Sequence, residues 1–300
     1  VKGAHRVTTL RYIPRVLMVL IVIMALLGGL GSGLARLGWP MDPMSQNWLL
    51  IHGPLMISGF LGTLICLERG VALASRYRWS LVVPLVNAAG ALVLLVLRDA
   101  PAAKLMLTFG SLGLLVLFGF MLRLHPSRDV IIMALGSLCW LLGNALWLAG
   151  LPVYQVVHLW TAFLILTIVG ERLELSRVRR LTPASENRLT LTVGIYLAGV
   201  FLSVYDLGLG VRVIGLGAVL LAGWLLRYDI ARRTIQQTPP NHPANRSAAL
   251  YCRLFTGRVC LAWLRGGTGD LAGGHLCRAG LRCCPSCLLA GLCVLDDFWT

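Results

Sequence analysis

The sequence predicts an all-α fold: a polytopic transmembrane helix bundle of about eight spans, with a ninth or tenth in reach, built as tandem four-helix units. Three observations predict it. The 300 residues are 57% hydrophobic and only 13% charged, where an ordinary soluble domain carries about 25% charged residues. Apolar runs recur along the chain, each near the roughly 20 residues that cross a bilayer as a helix. The connections between these runs alternate in charge, as membrane topology requires.

The formal net charge of +15 does not point to nucleic acid. Binding phosphates takes clustered Lys and Arg, whereas here the basic residues are scattered through short connections. The partner that the composition demands is the lipid bilayer, with no nucleic acid.

Residues 1–14 carry Lys2, Arg6 and Arg11 and form a basic N-terminal segment. The first apolar run, 15–35, has the charge pattern of a signal peptide, yet it exceeds the roughly 7–15 residues of that apolar core. It is expected to remain as span 1. Further spans are expected at 48–67, 80–97, 105–123, 129–149, 153–170, 189–207 and 210–226. Together they make a bundle over 15–227. Gly and Pro fall mainly at span ends or as small contact residues, as in "GGLGSG" at 28–33, where small side chains let helices approach.

Arg69, Arg76 and Arg78 follow span 2, Arg123 and Arg128 separate spans 4 and 5, and Arg172, Arg177, Arg179, Arg180 and Arg188 lie between spans 6 and 7. The opposite connections hold only Arg36, Arg98, Lys104 and Arg212. Basic connections face the cytoplasm, so the N-terminus and a connection over 228–250 are expected inside a cell membrane.

Spans 2 and 6 repeat one pattern. Span 2 places His52 near its outer end and Glu68-Arg69 at its inner end. Span 6 places His158 and Glu171-Arg172 likewise, with a His-to-Glu spacing three residues shorter. The two spans point the same way four helices apart, which suggests a parallel repeat. On span 2, Met56, Gly59 and Thr63 share the helical face of His52. Such a face could line a buried cofactor, since neutral imidazole ligates haem iron and copper. It could equally present a histidine hydrogen-bonded to another helix. The Glu-Arg pairs read as structural anchors, because cations suit helix C-termini and Arg reaches the interface. Asn87 and Asn144 lie inside spans and are expected to join helices. No catalytic set is visible, and enzyme activity is left open.

Residues 251–300 change character, and the expectation is a frame-shifted remnant of further transmembrane helices. Shifted by one base, the codons for "GLCVLDDFWT" can encode "GFAFSMIFG". The other readings of this segment are an ordinary membrane segment and a metal site built on Cys284 and Cys287, with Cys277, Cys283 and Cys293 in reach.

"HGPLMISGFLGTLICLERGVAL" (52–73), "HLWTAFLILTIVGERLELSR" (158–177) and the frame-restored "GFAFSMIFG" resemble a family of uncharacterised bacterial multi-pass membrane proteins. That family is distantly similar to NnrS-type proteins and to the catalytic subunit of haem-copper oxidases. The resemblance covers most of residues 10–257, and its specific part is the two His/Glu-Arg motifs. It implies a bacterial inner-membrane protein with His52 and His158 as metal ligands and Met56 beside them. The expected cofactor is haem, with copper second, in nitric oxide or respiratory metabolism. The oxidase subunit also carries ligands on its seventh helix, whereas span 7 here has no histidine, so oxygen reduction is not implied. A transporter or channel, or a structural membrane subunit, is the competing expectation.

Overall fold

A backbone in hydrocarbon has no water to bond, so each apolar segment must satisfy its own N–H and C=O groups, and a helix does this alone. The computed structural model describes residues 2–39, 47–97, 100–175 and 182–228. Among these it contains helices and no strand. Eight helices are long and apolar enough to cross a membrane: Val16–Arg36, His52–Leu73, Arg78–Leu97, Pro101–Leu124, Arg128–Leu148, Val153–Leu175, Pro183–Tyr205 and Leu207–Tyr228, numbered here spans 1 to 8. The chain is an integral membrane protein.

Local chemistry sets the ends. Pro101 and Pro183 occupy the first helical turn, where a missing N–H costs nothing and the fixed φ suits the helix. Span 5 closes on Gly150 at φ +100°. There the N–H of Leu151 reaches Leu146 O at 3.0 Å and that of Gly150 reaches Trp147 O at 3.1 Å. This crossed pair caps the last carbonyls and requires a left-handed residue, which glycine supplies without a Cβ penalty.

Span 2 lies against spans 1, 3 and 4, and its first turn also touches span 6. Spans 3 to 7 then pack each against the next, with spans 5 and 6 in the most extensive contact. That contact is aromatic: Trp140 stacks on Phe163 with ring centroids 4.7 Å apart, and Trp147 meets Trp160 edge-on at 5.6 Å. Gly136 lets the two backbones close, since a Cβ there would lie 3.1 Å from Phe163 O. Leu27, Phe109 and Leu191 are exposed on the outside, a surface that lipid covers at no hydrophobic cost.

Two compact units divide after Leu221. The described part of the second is the end of span 8, where Trp224 and Tyr228 rings lie 5.1 Å apart. The 228–250 connection beyond Tyr228, the 251–300 tail with its slipped-frame and zinc readings, and any ninth or tenth span lie outside the described residues.

The helices run further than the hydrophobic runs alone suggest at one end. Spans 2 and 6 continue to Leu73 and Leu175, so both Glu-Arg pairs sit within helix rather than at its last residue. At the other end span 2 starts later. Pro54 has no N–H to offer Leu50, the helix is interrupted at Ile51, and His52 opens the span. His158 is five residues into span 6, and the turn Asn47–Leu50 stands ahead of His52 in the same way.

Candidate functional site

The histidine end of the bundle is built by spans 1, 2 and 6. His52 Nδ1 lies 2.8 Å from Gly29 O of span 1. A carbonyl only accepts, so Nδ1 is the donor of this bond, and in the neutral ring that tautomer leaves the lone pair on Nε2. The ring rests on Gly33: a Cβ there would fall 2.9 Å from His52 Cε1 and 3.0 Å from Nδ1. Met56 rests on Gly29 in the same way, with its Cγ 2.9 Å from where a Cβ would stand. The glycine-rich stretch of span 1 therefore makes room for the imidazole and the thioether. Gly53 brings span 6 close, a Cβ there reaching Val153 Cγ1 at 3.7 Å. His158 is half-buried on span 6 and makes no hydrogen bond among the described residues.

Below His52, span 2 changes register. Leu55–Leu61 is a π-helix, in which the N–H of Gly62 reaches back five residues to Ile57 O. When the α-helix resumes at Gly62, N–H groups again reach four residues back, and one carbonyl, that of Ser58, is left over. Asn87 of span 3 takes it. Its Nδ2 donates to Ser58 O and to Thr63 Oγ1, each at 2.8 Å, and Thr63 Oγ1 donates to Gly59 O at 2.6 Å. The Ser58 hydroxyl donates to Asn144 Oδ1 at 3.1 Å and accepts from Trp140 Nε1 at 3.0 Å. Asn144 Nδ2 closes the set on Leu107 O of span 4 at 3.2 Å. Ser58, Asn87, Asn144 and Trp140 are all fully buried. One network thus joins spans 2, 3, 4 and 5, and both asparagines bridge helices as their positions suggest.

At the basic end the two Glu-Arg motifs meet. Arg69 Nη2 donates to Glu171 Oε1 at 3.0 Å. Its other carboxylate neighbours are Glu68 at 3.6 Å and Glu174 at 3.9 Å. The Arg69 side chain is 8% exposed, against 40% for Glu171 and 58% for Glu68. The carboxylates therefore reach water while the cation does not. Residues 15–257 match a family model described as a domain of unknown function, DUF8744. The chain belongs to that family. The DUF8744 match takes in all eight spans, both histidines, the π-segment and the Arg69 cluster. No curated protein and no solved structure matches the chain.

Of the residues singled out in the sequence, the structure brings together His52 and Met56 over the span 1 glycines, and Glu68, Arg69 and Glu171 at the basic end. Glu174 and the Ser58–Trp140 pair are further members that spacing did not point to. Among the described residues no three His, Cys, Asp or Glu side chains gather as a metal cluster.

Proposed function

We propose that this DUF8744 protein binds a cofactor at its histidine end, with haem ahead of copper, in the bacterial inner membrane. The observation that carries the proposal is the His52 Nδ1–Gly29 O bond. A metal-bound imidazole almost always donates its second nitrogen to a carbonyl or carboxylate, which fixes the ring and its tautomer. His52 is held in that state with Nε2 available, and the unpartnered His158 imidazole lies on the adjoining span. A donor set this small suits an iron that takes four ligands from its macrocycle more than a bare copper ion. Haem, when bound, supplies an iron centre for a diatomic gas or a single electron. The chain's own part is to orient the imidazole at the head of span 2 through the Gly29 carbonyl. The link to nitric oxide or respiratory metabolism rests on the NnrS-like resemblance of the two motifs.

The test is the absorption spectrum of the purified protein. His52→Ala is expected to remove or shift a Soret band, and Gly33→Ala to shift it by pushing on the ring. Glu68→Gln is expected to leave it unchanged. A spectrum indifferent to His52→Ala and Gly33→Ala would contradict the assignment. The orientation is proposed from charge: reporters fused at 149–153 are expected to read outside, and at 74–77 inside. The reverse pattern would invert the topology.

A transporter is the second reading, favoured by the break in helical register at Leu55–Leu61 and the polar network around it. Interrupted helices often form solute sites. That network holds no charged side chain, which keeps the cofactor reading ahead.

A further inference from the structure

The basic end carries two kinds of arginine. Arg69 is enclosed by carboxylates, and Arg128 bonds Asn187 at 3.0 Å and lies 3.4 Å from Glu186. Arg76, Arg78 and Arg123 are different: all three are exposed, and none has an ion-pair partner among the described residues. Arg76 and Arg123 stand against a cluster of three aromatic rings, and Arg78 lies in the chain between two of them. Tyr77, from the connection between spans 2 and 3, lies 5.1 Å from Phe120 near the end of span 4. Trp79, at the head of span 3, meets Phe120 nearly edge-on at 5.4 Å. The Arg123 guanidinium stands 5.8 Å from the Phe120 centroid, and that of Arg76 6.0 Å from Tyr77.

From this cluster an exposed apolar strip runs into the bilayer. Val82 on span 3 is 53% exposed, and Val116 and Leu112 on span 4 are 41% and 42% exposed. Each lies a turn or two deeper than the rings. Cations at the level of the headgroups, aromatic rings at the interface and an apolar strip below them match, in order, the parts of one molecule. Arg and Lys beside a membrane attract anionic lipid, and Trp and Tyr settle at the interface.

We propose that Arg76, Arg78 and Arg123 bind the phosphate of an anionic glycerophospholipid. Its glycerol backbone lies on Tyr77, Trp79 and Phe120, and its acyl chains follow Val82, Val116 and Leu112. The lipid staples the connection between spans 2 and 3 to the end of span 4. This site is independent of any cofactor at the histidine end.

Native mass spectrometry of the full-length protein in detergent tests it, with phosphatidylglycerol and phosphatidylcholine offered together. The wild type is expected to retain the anionic lipid about tenfold over the zwitterionic one, given three cations at the headgroup level. R76Q/R78Q/R123Q is expected to bring that ratio near unity. Should the triple variant not fold, each single Arg→Gln variant is expected to lower the ratio by part of that amount. Inorganic phosphate and glycerol phosphate at millimolar concentration are expected to leave the bound lipid in place. Equal retention of the two lipids would overturn the proposal, as would selectivity that survives the substitutions. Displacement by inorganic phosphate would also overturn it, making this a soluble-anion site.

Discussion

Arg69→Glu is expected to leave almost no folded protein in a mild-detergent extract, and Arg69→Glu combined with Glu171→Arg to recover a large part of it. The single change replaces the only cation in contact with Glu68, Glu171 and Glu174 among the described residues, placing four carboxylates at one level. Breaking a buried ion pair from one side costs about 3–5 kcal/mol. Here the glutamates are more than a third exposed, so solvent screens part of that. The repulsion adds to the loss, because one acid is then buried where Arg69 stood. Glu171→Ala is milder, since Arg69 keeps two longer contacts, and should cost about 2 kcal/mol. Yield and monodispersity by size-exclusion chromatography check the series. Wild-type yield for Arg69→Glu would mean that the two motifs do not clamp spans 2 and 6.

Asn87→Leu is expected to lower stability in detergent by about 2–4 kcal/mol, the cost of stranding buried polar partners. Ser58 O and Thr63 Oγ1 each lose a bond of 2.8 Å, and in a bilayer neither can turn to water. Gly110→Ala attacks the same amide from the other side, because its Cβ would lie 2.8 Å from Asn87 Cβ. Hydrogen exchange should then rise over Leu55–Leu61 while spans 5 and 6 stay protected. Unchanged exchange in that segment would show that the π-turn holds itself without Asn87.

The large-scale architecture was legible because one quantity dominates it. Hydrophobic length sets the spans, and each of the eight spans expected over 15–227 has its helix. Asn87 and Asn144 were legible as helix-joining residues because an amide in hydrocarbon has few alternatives. The Glu-Arg pairs were visible as matching motifs on spans 2 and 6, but the contact between them was not. Arg69 bonds a glutamate 102 residues away in sequence, and Glu174 enters only because span 6 continues past its hydrophobic run. The π-segment left a fainter trace. Pro54 with Gly53, Gly59 and Gly62 marks a helix under local pressure, yet nothing in those letters tells a kink from a change of register. His52 shows the limit most clearly. Met56 stays beside it against span 1, but the π-turn over Leu55–Leu61 breaks the stripe expected to continue to Thr63, which bonds Asn87 of span 3. The acceptor of His52, Gly29 O, is a backbone atom that the sequence cannot single out.

In the proposed function His52 presents Nε2 to a metal at the histidine end. Quantifying haem, iron and copper per chain in the purified full-length protein, wild type beside His52→Ala, tests it most directly. Stoichiometric haem is expected in the wild type and its loss in His52→Ala, with both proteins eluting alike. Wild-type protein free of haem, iron and copper, whose thermal stability falls in His52→Ala only by the loss of the Gly29 bond, would contradict it.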